Sequence, residues 1–539
     1  PESGGPADLA FERMHCEDQP AHVRYCVSGH VTAAVLRARV VNLYGETRDL
    51  QPVRLRTGFL NCGHLDYGAF PRRPLGQFRV EAWVEGKAGA LSLTNELVVT
   101  RLPRPKYWGR DAPNSPFGVH MHADRQMIRQ LKAAGINWTR MHDAGMDYIG
   151  WYYLEPRPGQ WRFRDAELNR FREYGVQIFA ELGTAPKWAT MLAGVEKPWD
   201  YTEAYCPPRN LADFENYVRT VVGRYRETIT TFDVWNEPWQ ANWWPLAYTN
   251  GAYLFNPHSD REFAALQAAA FRAAKEANPA AIIAGFNTTT LPNMPGTIIG
   301  GREFTAGVLA HGGWETCDVV AYHGYCGELT GFPGDEVEQG LATALGPIRE
   351  RFGGACPKPV WMTEGYPGPA EHKSGFWWHV VPDAWRGKDY HAAANAMARY
   401  HLALLGNGVS RVFIYSAHCY WGYAGAQLQA YVSGDGYLHP SAVAVAALAR
   451  EIEDRPFVRR SEPAPEVYAY LFAGGGRTVA ALCRKPGSRT PFRIPAGRQL
   501  TVRDLYGNPV GRGTELGEWP VYVSARLAPT ELEALLRRP

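Results

Sequence analysis

Two glutamates stand where an apolar run stops. Phe232-Asp233-Val234-Trp235-Asn236-Glu237-Pro238-Trp239 closes one run, and Val360-Trp361-Met362-Thr363-Glu364-Gly365 closes another. Such runs read as strands buried on both faces, so each carboxylate is carried at a rigid strand end. Two carboxyl groups facing one cleft can split a glycosidic bond. One protonates the departing oxygen while the other attacks the anomeric carbon from the opposite side. A separation of about 5–5.5 Å goes with a covalent intermediate and retained configuration, and about 6.5–9.5 Å with inversion. A single strand-end glutamate is more often a solvated loop residue or a helix cap. It is the pair, with Asn236 and Pro238 flanking one member, that carries the functional reading.

From residue 117 short apolar segments alternate with amphipathic ones. The pattern predicts strands at 117–120, 136–141, 176–182, 229–236, 281–286, 319–323, 360–363 and 411–415. Helices are expected between them, for example at 123–134, 211–226, 261–277 and 389–405. Ser259 with Glu262 fits a capping box, and Gly135, Gly175 and Gly406 fall where C-terminal caps belong. Eight strand–helix units are the count for an α/β fold of the (β/α)8 TIM-barrel type, in which reactive groups gather at the C-terminal strand ends. Strands four and seven then stand on opposite sides of the ring. A doubly wound sheet is the alternative, but no glycine-rich phosphate loop follows the first strand.

The flanks read differently. Residues 1–105 hold alternating runs at 22–27, 34–41 and 77–84, with Gly, Pro and Asn between them, as in an N-terminal β-sandwich. Residues 101–116 carry four prolines and read as a linker. Runs at 467–472, 478–483, 500–504 and 521–523 predict a C-terminal β-sandwich. The expected division is 1–105, a catalytic barrel over 106–454, and 455–539.

Other polar residues fall at the predicted strand ends. Arg140 closes strand two in Trp138-Thr139-Arg140-Met141-His142-Asp143, where a cation could aim Glu364 or simply tie the barrel mouth together. His323 and Tyr325 follow strand six; His323 is the nearer to the strand end, and a satisfied structural histidine explains it as well as a binding one. His120 and His122 follow strand one, and with His142 and Asp143 they suit sugar hydroxyls better than a metal, for no third ligand is placed beside them. Trp235, Trp239, Trp243, Trp244, Trp377, Trp378 and Trp421 lie in or beside the loops after strands four, seven and eight; Trp421 is the preferred platform under a sugar ring, while packing explains the others as well.

Bulk properties agree with a carbohydrate partner and bound the rest. The 539 residues include 18 Trp and 28 Tyr, which suit the flat C–H faces of sugars but also fill cores. Net charge is only +3, and no basic run points to nucleic acid. No apolar stretch approaches the roughly 20 residues that span a bilayer, so no membrane partner is expected. The nine cysteines are scattered without a CxxC pair, which argues against a zinc site or a dense disulfide framework. The chain starts at Pro1, as a processed or trimmed start would, and a secreted or periplasmic location is preferred to a cytoplasmic one. No metal or organic cofactor is expected.

The motifs also carry a resemblance. Asn236-Glu237-Pro238 after strand four with Glu364 after strand seven resembles clan A of the glycoside hydrolases. The segments Phe232–Trp239, Phe179-Ala180-Glu181-Leu182-Gly183-Thr184-Ala185-Pro186-Lys187-Trp188 and Thr363-Glu364 are most similar to family 39, over about residues 117–420. That family includes β-xylosidases and α-L-iduronidases. The resemblance implies that Glu237 is the acid/base, Glu364 the nucleophile and Asn236 the residue that binds the sugar 2-hydroxyl. It also favours Arg140 and His323 as neighbours of the nucleophile. Gly365-Tyr366-Pro367 departs from the Tyr-Asn pair that follows the nucleophile in that family. The expected activity is a retaining, exo-acting glycosidase on a plant or microbial glycan. An endo-acting relative and a non-catalytic sugar-binding barrel are the alternatives.

Overall fold

The computed structural model describes residues 13–537 except 69, 88, 192–205, 251, 327–334, 368–389, 418–430 and 434–435. Its centre is a closed ring of eight parallel strands. They are β1 (Phe117–Val119), β2 (Trp138–Met141), β3 (Gln177–Leu182), β4 (Thr231–Val234), β5 (Ile282–Thr289), β6 (Val319–His323), β7 (Val360–Glu364) and β8 (Val409–Ile414). The eight longer helices after them are α1 (Arg125–Ala133), α2 (Asp165–Glu173), α3 (Leu211–Tyr225), α4 (Ser259–Ala277), α5 (Gly301–Ala310), α6 (Glu336–Arg351), α7 (Tyr390–Gly406) and α8 (Pro440–Ile452). The (β/α)8 TIM barrel expected from the strand–helix alternation is the fold.

Side chains on a strand alternate between faces, and in a barrel one face is the interior. Trp138, Phe179, Trp361 and Phe413 point into the ring and form their own buried cluster. Gly118 on β1 makes room for them, because a Cβ there would stand 2.5 Å from the Phe413 ring. Below this plug Arg411 is sandwiched between Trp138 and Trp361, 3.7 and 4.2 Å from their ring centres. Its Nε donates to Ser115 O at 3.2 Å, and a second nitrogen donates to Pro113 O. Two residues further along the strands the interior turns polar, at Arg140, Glu181 and Asp233. The aromatic layer is the floor on which the site rests.

Two expected caps are replaced. Ser259 does not cap α4; the helix starts after His258 without a side-chain cap. Glu262 is taken instead by Trp244 Nε1 at 2.9 Å and Asn256 Nδ2 at 2.8 Å. Gly406 ends α7 against the Tyr470 ring, and the left-handed turn comes two residues later at Gly408, φ +87°. Gly135 and Gly175 take φ of +83° and +66° after α1 and α2, as a C-terminal cap requires.

The flanks are β-rich. A seven-stranded sheet and a two-stranded antiparallel sheet, His22–Val31 with Gly58–Asp66, enclose an N-terminal core around Val40, Tyr67, Phe78 and Val99. Cys26 and Cys62 face each other across that pair of strands and form a disulfide. A five-stranded sheet builds the C-terminal unit, and helix Pro529–Leu536, where the sequence pattern suggested only strands, covers it through Leu532 and Leu536. The two flanks touch: Asn508 accepts from Leu75 N at 2.8 Å and donates to Leu75 O and Tyr44 Oη. No helix among the described residues is long and apolar enough to cross a membrane.

Candidate active site

The C-terminal rim of the ring gathers the polar residues of β2, β3, β4, β6 and β7. Arg140, wholly buried, is the hub. Its Nε donates to Asp233 Oδ2 at 2.8 Å, Nη1 to Glu364 Oε2 at 3.0 Å, and Nη2 to Asn236 Oδ1 at 3.0 Å and Glu181 Oε2 at 3.3 Å. Burial lowers the pKa of the guanidinium, but Asp233, Glu181 and Glu364 outweigh it and push the pKa up. The cation is permanent, and three carboxylates share its compensation in a dry interior.

Glu364 ends β7, where the pairing with β6 shifts so that it stands beside His323. Besides Arg140, it accepts from Tyr325 Oη at 2.7 Å on the other carboxylate oxygen. The preference for His323 as its hydrogen-bonding partner is thereby corrected. His323 Nδ1 is 3.9 Å from Glu364 but hydrogen-bonds Glu237 Oε1 at 2.9 Å. Tyr325, though beyond the strand end, has the longer reach.

Glu237 follows β4 through a sharp bend in which Trp235 and Glu237 both have positive φ, +63° and +41°. It is 8% exposed. Burial raises its pKa to about 7, against the opposing pull of His142 and Arg140. Gln240 Nε2 also donates to it. His323 is driven the other way, to about 3, by burial and by repulsion from Arg140 and His142, so its ring is neutral beside Glu237. Ligating atoms of Glu237, His323 and Glu364 all lie within 4.8 Å of one another. Two carboxylates and an imidazole could accept a cation, but Arg140 already supplies the positive charge next to Glu364. One oxygen of Glu237 thus lies within 4.8 Å of one oxygen of Glu364, so both carboxyl groups face the same small space.

The remaining predicted residues form one wall. His142 Nδ1 is 2.7 Å from Glu181 and Nε2 is 3.2 Å from Asp143. Burial opposes its charge, yet Asp143 and Glu181 more than offset this and lift the pKa to about 9, which makes it an imidazolium at neutral pH. Asp143 accepts from Tyr415 Oη at 2.5 Å. His120 is held neutral by burial and donates Nε2–H to Thr363 O at 2.9 Å. Among the described residues, its Nδ1 then has no partner, and His323 Nε2 is likewise unpartnered. Buried polar atoms left so cost about 1–3 kcal/mol each, which a hydroxylated ligand would recover. His120 and His122 belong to no three-ligand cluster among the described residues.

Of the tryptophans, Trp243 stands 5.0 Å from the His142 ring. Trp235, Trp239 and Trp244 are buried in the core, and Trp377, Trp378 and Trp421 lie outside the described residues. Glu181, Asp233, Gln240 and Asn287 were not anticipated. A signal existed for two of them, since a charge within an apolar strand, as in Phe-Ala-Glu-Leu and Phe-Asp-Val-Trp, must find a partner inside.

Comparison of the sequence with family models and with curated proteins gives no match. Among solved structures, a family 39 glycoside hydrolase from the gut symbiont Bacteroides cellulosilyticus WH2 superposes with a TM-score of 0.67 at 15% identity, covering 96% of this chain and 99% of that one. A GH30 endoxylanase from Clostridium papyrosolvens C71 gives a TM-score of 0.44 at 15% identity, over 77% of this chain and 98% of the other. A family 51 α-L-arabinofuranosidase from Bifidobacterium longum also gives 0.44, at 14% identity, over 77% and 93%. Over 96% of its length the chain has the fold of this family 39 glycoside hydrolase, and the resemblance over about residues 117–420 implied the barrel part of it.

Proposed function

We propose that the protein is a retaining glycoside hydrolase, with Glu237 as acid/base and Glu364 as nucleophile. The observation that supports this best is the contrast between two neighbouring carboxyl groups. Glu237 is buried against a neutral histidine and keeps its proton to about pH 7. Glu364 accepts hydrogen bonds from a permanent cation and a tyrosine. Environments that differ in this way divide the roles of acid and nucleophile between two like residues.

In the first step Glu364 attacks the anomeric carbon and Glu237 gives its proton to the departing oxygen. The glycosyl ester so formed is opened by water, whose proton returns to Glu237, and Glu364 leaves as carboxylate. Asn236, oriented by Arg140, contacts the sugar 2-hydroxyl, a bond that strengthens as positive charge develops on the ring. His120, His142 and Asp143 bind other hydroxyls. Exo action is the mode we favour, from the length of the inserts at 188–208 and 365–388 in the sequence alone.

The test is the stereochemistry of the first product. Aryl glycosides of neutral pentoses and hexoses are hydrolysed in an NMR tube and the anomer formed is read before mutarotation. Retention is expected; the inverted anomer overturns the nucleophile assignment. Binding without hydrolysis across the panel favours the non-catalytic reading, and release of internal fragments from a polysaccharide favours endo action.

A further inference from the structure

Asn287 occupies an unusual place near the end of β5. Between Gly285 and Thr288 two residues of β5 oppose one of β6, which is a β-bulge. Both bulged residues are left-handed, Phe286 at φ +71° and Asn287 at +40°. A bulky residue at positive φ is strained, and such strain persists only where the surroundings hold it. Gln267 of α4 provides the hold: its Oε1 accepts Phe286 N at 2.8 Å while its Nε2 donates to Gly313 O at 2.7 Å. The bulge turns Asn287, wholly buried, toward β4. There one amide nitrogen donates to Asp233 Oδ1 at 2.8 Å, Val234 O at 2.6 Å and Trp235 O at 2.9 Å.

Those three acceptors lead to both carboxylates. Asp233 uses its other oxygen on Arg140, which holds Glu364 and Asn236. Val234 is the last residue before the bend that aims Glu237, and Trp235 is the first residue in it. We propose that Asn287 is a positioning residue that fixes the acid/base and the nucleophile at once, through the end of β4 and through the Asp233–Arg140 pair. It touches neither substrate nor reacting atoms. The proposal rests on the glycosidase reading.

Asn287→Gly separates the two things this residue does. Glycine accepts the backbone conformation without strain but lacks the amide. Misplacement of reacting groups by about 1 Å costs about 10²-fold in rate. The expected result is a kcat lowered about 10²-fold with KM changed by less than about threefold, since geometry at the reacting centre is lost and ground-state binding is not. Asn287→Asp, of the same shape but with no N–H to offer, should lose as much, and it carries the test if the glycine variant does not fold. Wild-type kcat in either folded variant overturns the proposal. Failure of the glycosidase reading is seen separately, because the wild-type protein would then turn over no glycoside. In that case the crystal structure of the variant still decides: a parted Asp233–Arg140 pair or a shifted Glu237 supports the proposal, and an unmoved site overturns it.

Discussion

At the scale of the residue, one guanidinium organises the site. Arg140 contacts Asp233, Glu181, Asn236 and Glu364, so the charge that faces Glu364 is locked by three other partners. Glu237 depends on burial instead. As the proposed acid it must carry its proton, and its pKa of about 7 sets where that proton is lost. As pH rises past about 7, kcat/KM should fall toward tenfold per unit. His142⁺ pulls that pKa down, so His142→Asn should move the basic limb to higher pH. A pH–rate profile whose basic limb moves to lower pH in this variant contradicts the electrostatic account. Glu237 was legible in the sequence because Asn236 and Pro238 mark it, and Arg140 because a charge in an apolar strand needs a reason. The division of partners between His323 and Tyr325 was not, since it turns on side-chain reach and a one-residue shift of register between β6 and β7.

At the scale of the element, the eight strands were readable because a fully buried strand leaves a short apolar run with a helical period after it. Their ends were less so. Nothing in Gly285-Phe286-Asn287 announces a bulge, and Ser259 with Glu262 mimics a capping box while Trp244 and Asn256 claim the carboxylate. The lower end of the barrel was also hidden. Arg411 looks like a surface residue of β8, yet it lies between two tryptophans with its pKa lowered to about 9 by burial. It fastens the segment before β1 through Ser115 and Pro113. Arg411→Ala should cost about 3 kcal/mol in chemical denaturation, from lost cation–π contact, two unpaired carbonyls and a cavity. Because the aromatic layer separates it from the rim, kcat should change by less than about twofold. Stability within about 0.5 kcal/mol of wild type would show that Arg411 is not part of the plug.

At the scale of the whole molecule, both flanks were visible as alternating runs, but their contact with each other was not, because it joins residues more than 400 positions apart. Asn508, wholly buried, bridges Leu75 and Tyr44, and Tyr44 Oη also donates to Asp504. Asn508→Ala should lower stability by about 2 kcal/mol through the groups left unpaired on the N-terminal side. If the flanks act only as a brace, calorimetry should show the loss while kcat/KM stays at its wild-type value. A fall in kcat/KM with unchanged stability would assign the flanks a part in the cleft.

The central claim is that Glu364 forms a covalent bond to the sugar. A 2-deoxy-2-fluoro glycosyl fluoride of an accepted sugar slows both steps but the second more, so the ester accumulates and can be located by mass spectrometry of peptides. One added fluoroglycosyl group per chain is expected, on the peptide containing Glu364, and none in Glu364→Ala. Label on any other residue, or inactivation without a covalent adduct, would contradict it.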